Sequence, residues 1–270
     1  MTYGFHVFNA DGMRLSMWFK DGIDPDMKHR FIISCHGLPS HPYQHNPAKM
    51  ERLLDEGYIL VFPNYIGTWA SDGHMTWENC VRTITGTIGF LESGKARKVG
   101  QYTGDGSIIR WKVHDISLLG GSFGGSVALV AGAKSGVQNI IAIAAPTDWR
   151  NHSRIPEESA EPIEDLYDAV MEGWGNLWRI PREEWDRLVD GSCDLNPIDY
   201  ADVLKGKRVM LIHGEADEVV SVKRSRHLHE LLADGDGKHE LLVLDGEGHK
   251  GSDLAGRSDI FSRVHTFLSE

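Results

Sequence analysis

Short apolar runs recur along the chain, each closed by a polar or glycine-rich turn, with longer stretches of helical spacing between most of them. Residues 31–35, 58–63, 116–119, 139–145, 208–213 and 239–245 read as strands. Their hydrophobicity is nearly continuous rather than alternating, which marks strands buried on both faces and predicts a mostly parallel sheet flanked by helices. Helices are predicted at 46–56, 76–93 and from residue 123 onward. The first would be capped by Asn46 with Pro47 at its first turn. A last helix at 257–268 carries Ile260, Phe261, Val264, Phe267 and Leu268 on one face. At the other end, 3–8 and 13–20 flank Asp11-Gly12 and predict an antiparallel hairpin.

Two segments break this alternation. Residues 97–113 read as a β-hairpin around Thr103-Gly104-Asp105-Gly106, a solvated decoration or, alternatively, a contact in a homo-oligomer. Residues 149–200 form a polar insertion rich in tryptophan (Trp149, Trp174, Trp178, Trp185), with helices expected near 163–175, 182–190 and 197–204. Such an insertion would fold over the sheet as a small helical cap within one domain spanning 1–270. Some of its tryptophans line an acyl pocket, or else they pack the cap helices onto the body.

The strand at 116–119 runs directly into Gly120-Gly121-Ser122-Phe123-Gly124 and then into a helix of small residues. With 30 glycines in 270 residues, glycines flank a given serine by chance about once in a hundred cases, so the pattern alone proves little. Its position between a buried strand and a helix makes it informative, because a sharp strand–turn–helix junction holds a serine in strain with its hydroxyl exposed. Ser122 is therefore the candidate nucleophile.

A serine hydroxyl is almost inert at neutral pH without a base. Asp217 follows the strand at 208–213, and His249 follows the strand at 239–245. The order Ser122, Asp217, His249 is that of the α/β-hydrolase fold, and both partners lie just past strand carboxyl ends, where open α/β sheets build their sites. His249 would take and return the serine proton while Asp217 orients the ring. Oxyanion donors are expected from the amide of Phe123 and, in the loop His36-Gly37-Leu38-Pro39, from that of Leu38.

These segments resemble the catalytic domain of the prolyl oligopeptidase family. The resemblance rests on Gly120 to Gly125, His36 to Pro39, Asn64-Tyr65-Ile66-Gly67-Thr68, Ala145 to Trp149, and Leu211 to Val220, in the family's order. It implies the α/β-hydrolase fold, the Ser122, Asp217, His249 triad, and hydrolysis of amide or ester bonds without a cofactor. Substrate-binding candidates are His36, Tyr65, Trp149, Trp174 and Trp178. Members usually carry a β-propeller ahead of this domain, whereas about thirty residues precede His36 here. The family's His-Gly-Gly-Pro is His36-Gly37-Leu38-Pro39, and its arginine after Asn-Tyr is Ile66. A leucine at position 38 would be strained if the backbone there requires positive φ. These departures favour a carboxylesterase, with a small exo- or oligopeptidase as the alternative and a non-catalytic binding protein behind both.

Composition narrows the field. A net charge of -11 argues against nucleic acid or anionic membrane as a partner. No apolar stretch reaches the length of a membrane span, and the first residues lack a secretion signal, so the expectation is a cytoplasmic protein acting on a small ester or peptide. Cys35, Cys80 and Cys193 fit neither a disulfide nor a zinc framework. His36, His41 and His45 lie close in sequence but lack metal-ligand spacing, so no metal is expected. His213 is read as a brace for the Asp217 loop rather than as the base. Glu157, Glu158, Glu161 and Glu164 read as an exposed acidic run.

Overall fold

A computed structural model describes residues 3–40, 50–99, 106–152, 155–158, 161–251, 255 and 257–270. Its core is an eight-stranded sheet. Strands β1 (Tyr3–Ala10) and β2 (Met13–Lys20) form the predicted hairpin, turned by Asp11 and Gly12, both at positive φ. After them come β3 (Lys28–Cys35), helix α1 (Glu51–Asp55), β4 (Tyr58–Pro63) and helix α2 (Trp77–Glu92). Thr76 caps α2 by accepting the Asn79 amide, at the start of the predicted 76–93 helix. Helix α1 is described over Glu51–Asp55, and the Asn46-Pro47 start of the predicted 46–56 helix lies outside the described residues.

The inserted hairpin is displaced from its expected position. Its strands are β5 (Lys95–Arg97) and β6 (Ile108–Arg110), while Lys112 and Val113 belong to β7 (Lys112–Gly121), which pairs with β3 through a bulge at His29/Arg30. The polar start of β7 hides its strand character, because only from Ile116 onward is it buried. The expected turn at 103–105 lies outside the described residues.

Helix α3 (Phe123–Ala133) follows β7 without a linker, then β8 (Asn139–Ile143). The next segment holds helices α4 (Tyr167–Trp174), α5 (Arg182–Val189) and α6 (Ala201–Leu204), joined by 3-10 turns. The chain closes with β9 (Arg208–Gly214), α7 (Val222–Leu232), β10 (Lys238–Leu244) and α8 (Phe261–Ser269), the last starting later than its apolar pattern suggests. The sheet order is β1-β2-β4-β3-β7-β8-β9-β10. From β4 to β10 every neighbour is parallel, and β2 joins β4 antiparallel. All parallel strands therefore deliver their carboxyl ends, and the loops after them, to one rim.

The two faces of the sheet bury separate cores. One holds α2, α3 and residues of the tryptophan-rich segment, including Trp77, Phe123, Trp149, Trp178 and Trp185. The other holds Leu53, Leu54, Val264, Phe267 and the buried side chains that β3, β4, β7, β8 and β9 present to that face.

Candidate active site

The junction at Ser122 is built by close backbone packing. Ser122 has φ 54 and ψ -130, outside the regions comfortable for an L-residue, and its amide is held by the Ile143 carbonyl at 2.8 Å. Such a conformation costs about 1–3 kcal/mol and persists only where the surroundings enforce it. They do so through two glycines. A Cβ on Gly120 would lie 2.0 Å from the Gly124 carbonyl oxygen, and one on Gly124 would lie 2.1 Å from the Cys35 carbonyl oxygen. The turn, the helix start and the end of β3 are thus pressed together, and only glycine fits at either point.

Asp217 and His249 meet at the same rim. Asp217 is buried, and its Oδ2 accepts the His249 Nδ1–H at 2.8 Å. Its Oδ1 accepts the amides of Val219 and Val220, each at 2.9 Å. Because a carboxylate only accepts, this contact places the His249 proton on Nδ1 and leaves Nε2 as a lone-pair site. The ring itself is partly exposed.

His213 completes the set. Its ring is fully buried, with Nε2 2.7 Å from the Val220 carbonyl and Nδ1 2.7 Å from the Ser225 hydroxyl. The carbonyl can only accept, so Nε2 carries the proton, and the same nitrogen lies 3.3 Å from Asp217 Oδ2. Burial pushes the Asp217 carboxyl up, but hydrogen bonds from His213, His249 and the Val220 amide outweigh it and hold the group well below the usual carboxylate range. Both ring nitrogens of His213 are thus taken up by Ser225 of α7 and by Val220 and Asp217 of the loop.

Among the described residues, no hydrogen bond joins the Ser122 hydroxyl to the His249 ring. What Ser122 faces is a cavity of about 100 Å³. Leu38, Pro39 and Phe123 wall it beside the serine, and Val219 and Val220 come from the Asp217 loop. From the tryptophan-rich segment come Trp149, Ile163, Leu166, Val170 and Trp185, with His152 and Glu161 as its polar residues. Leu38 is not among the residues at positive φ, so the strain expected from replacing glycine there does not arise. The Gly37 backbone runs close to the serine, since a Cβ there would sit 3.9 Å from Ser122 Cβ.

Four of the five residues expected to bind substrate lie elsewhere. His36, in the His36–Pro39 loop, and Tyr65 and Trp178 beside it are all buried. Tyr65 stacks on His36 at 4.0 Å and donates to its carbonyl, and the Trp178 indole donates to the Ser40 carbonyl. Tyr65 and Trp178 thus hold this loop from behind, and none of the three lines the cavity. Trp174 packs edge-on to Trp69 and is not among the residues that line the cavity. Of the five, Trp149 alone reaches the cavity; Trp185, the fourth tryptophan of the segment, lines it too, and His152 lines it without having been singled out. His152 stacks on Trp149 at 5.0 Å, and burial lowers its pKa to about 4, with the Arg224 and His249 charges acting in the same direction.

The acidic run is not uniformly solvated. Glu158 is buried against Arg224 of α7, with Nε–Oε1 at 2.5 Å and Nη2–Oε2 at 2.8 Å, and it also accepts the Ser221 amide. Burial raises the Glu158 carboxyl, and the arginine more than reverses this. The pair fastens the tryptophan-rich segment to the body beside the Asp217 loop. Among the described residues, no group of three or more His, Cys, Asp or Glu is arranged to hold a metal, and no helix is long and apolar enough to cross a membrane. His41 and His45 lie outside the described residues.

The model of the prolyl oligopeptidase family matches residues 44–270. The chain belongs to the prolyl oligopeptidase family. Membership makes it a serine hydrolase by class. No curated protein sequence is a significant match. Solved structures agree on the α/β-hydrolase fold at low identity. The Pyrococcus furiosus esterase Pf2001 superposes with a TM-score of 0.65 at 19% identity, covering 99% of this chain and 90% of that one. Est1E from Butyrivibrio proteoclasticus gives 0.62 at 17%, covering 98% and 96%. A putative dipeptidyl aminopeptidase IV from Bacteroides ovatus gives 0.67 at 14%, with 99% of this chain but 35% of that one covered.

Proposed function

We propose that this family member hydrolyses carboxylic esters through an acyl-enzyme on Ser122. The observation that carries the reading is the strained serine opening onto a cavity at the rim where Asp217 fixes the His249 tautomer. Nε2 of His249 takes the hydroxyl proton as Ser122 attacks the ester carbonyl, then delivers it to the departing alkoxide. Water repeats the sequence to release the acid. The histidine–serine hydrogen bond closes on substrate binding, since catalytic contacts often tighten only in the complex. Asp217, held anionic by its donors, stabilises the imidazolium. The oxyanion is held by the amide of Phe123, whose place at the start of α3 leaves it without an intrahelical partner, and by that of Leu38. Each such donor contributes about 3–4 kcal/mol. Residues 149–200 act as the cap.

Family membership favours a second reading, a small exo- or oligopeptidase. Assays of p-nitrophenyl acyl esters beside aminoacyl and peptidyl anilides decide between them. Ester kcat/KM should exceed that for every anilide, and faster anilide turnover would reverse the order. A hydrolase-fold protein that binds without catalysis would turn over neither. Cys35, Cys80 and Cys193 are free and buried, which suits a cytoplasmic location.

A further inference from the structure

We propose that the cavity beside Ser122 is the acyl pocket, that it takes uncharged aliphatic acyl groups of up to about four carbons, and that Trp185, Leu166 and Val170 set this limit. The proposal rests on the ester-hydrolase reading and adds which side of the ester the cavity holds and how much it accepts.

The side follows from where the proton goes. The leaving alkoxide must receive it from His249, so the alcohol departs past that ring. His249 is absent from the described lining of the cavity, whereas Ser122, Phe123 and Leu38, the nucleophile and the two oxyanion donors, are all present. A carbonyl carbon attacked by Ser122 with its oxygen toward those amides therefore directs its acyl chain into the cavity.

The size follows from volume and rigidity. A cavity of ~150 Å³ holds benzene, roughly 25 Å³ per carbon. The present cavity is about 100 Å³, room for acetyl, propionyl or butyryl. Its walls cannot readily retreat. Trp185 is 2% exposed, its indole N–H is bonded to the Ile163 carbonyl at 3.1 Å, and its ring packs edge-on to Tyr167 at 5.6 Å. Trp149 is held by the hydrogen bond that its backbone N–H donates to Asn196 Oδ1 and by stacking on His152. Close-packed walls of this kind resist even a single additional methylene. The described lining includes no Lys or Arg, and Glu161 stands at the exposed side, so a carboxylated acyl group finds repulsion and no partner.

The test is kcat/KM for p-nitrophenyl acetate, butyrate, hexanoate and octanoate, which share one leaving group. The expected profile peaks at acetate or butyrate and falls at least about tenfold by hexanoate, the scale of discrimination that a surplus methylene produces. Leu166→Ala removes three carbons from a partly buried wall position, and Trp185→Leu shortens the rear wall. Each should raise the hexanoate-to-butyrate ratio about tenfold or more. If Trp185→Leu fails to fold, the wild-type series and Leu166→Ala decide. Octanoate turned over as fast as butyrate by the wild type, or an unchanged ratio in folded Leu166→Ala, overturns the acyl-pocket assignment while leaving ester hydrolysis standing. Absence of turnover for all four esters refutes the ester-hydrolase reading on which the proposal rests.

Discussion

Replacing Asp217 by asparagine isolates what the carboxylate does, because shape is kept and one acceptor is lost. The residue receives His249 and approaches His213 through Oδ2, and receives the Val219 and Val220 amides through Oδ1. A carboxamide has a single oxygen to share between these sets. Turned with its NH2 toward the valine amides, it would leave two inward-facing N–H groups without an acceptor, at about 1–3 kcal/mol each. The oxygen therefore stays with the amides, and the NH2 faces the rings. His249 must then accept at Nδ1, which moves its proton to Nε2, the atom that has to take the serine proton. Loss of the base in this way lowers kcat by about 10⁴, close to 5 kcal/mol of barrier. KM should change little, since Asp217 is absent from the described lining of the cavity. Hydrolysis of p-nitrophenyl butyrate, with thermal unfolding as a control for folding, provides the measurement. A folded Asp217→Asn protein with kcat within about tenfold of wild type would refute the tautomer argument.

Gly124→Ala should cause a large loss of stability, because its Cβ would collide with the Cys35 backbone, whereas Gly89→Ala on α2 meets nothing within 4 Å and should stabilise by up to about 1 kcal/mol; paired thermal melts compare them. Glu158→Ala leaves the Arg224 charge buried without its partner, so unfolding should become easier by about 3–5 kcal/mol, measured by denaturant titration. His152 should make the fold acid-sensitive. Its folded pKa is about 4 against an ordinary 6.5, so the unfolded chain binds the proton first as pH falls. Stability should then decline from pH 6.5 to 4 by at most about 3 kcal/mol and be independent of this group above 6.5. Melts of His152→Gln should be flatter across that window, and an unchanged slope would assign the sensitivity elsewhere. Asp217, whose pKa is depressed from 3.8, adds its own loss only below that value.

Strands β4, β8 and β9 and the end of β7 were legible because burial on both faces leaves them continuously apolar, and the loops carrying Ser122, Asp217 and His249 because each directly follows an apolar run. The Ser122 elbow was legible for a local reason, as the glycines it needs are set by contacts within a few residues and with the end of β3. The cavity wall was not. Trp149, Trp174, Trp178 and Trp185 look alike in sequence, and which of them meets solvent, core or cavity depends on how 149–200 lies on the sheet. Tyr65 and Trp178 went behind the loop because their hydrogen-bonding tips found the carbonyls of His36 and Ser40 there. Glu158 read as one of an acidic run, and nothing local distinguishes it from Glu157; its partner Arg224 lies 66 residues away. The start of β7 was hidden by polar residues that pair with β3 yet remain at the surface.

The most direct test is covalent capture of the nucleophile. Treatment of the folded protein with a fluorophosphonate, followed by peptide mass spectrometry, should give one adduct on the peptide containing Ser122, and Ser122→Ala with an unchanged melting profile should remain unlabelled. An adduct on another residue, or wild-type protein that turns over ester without labelling at Ser122, would contradict it.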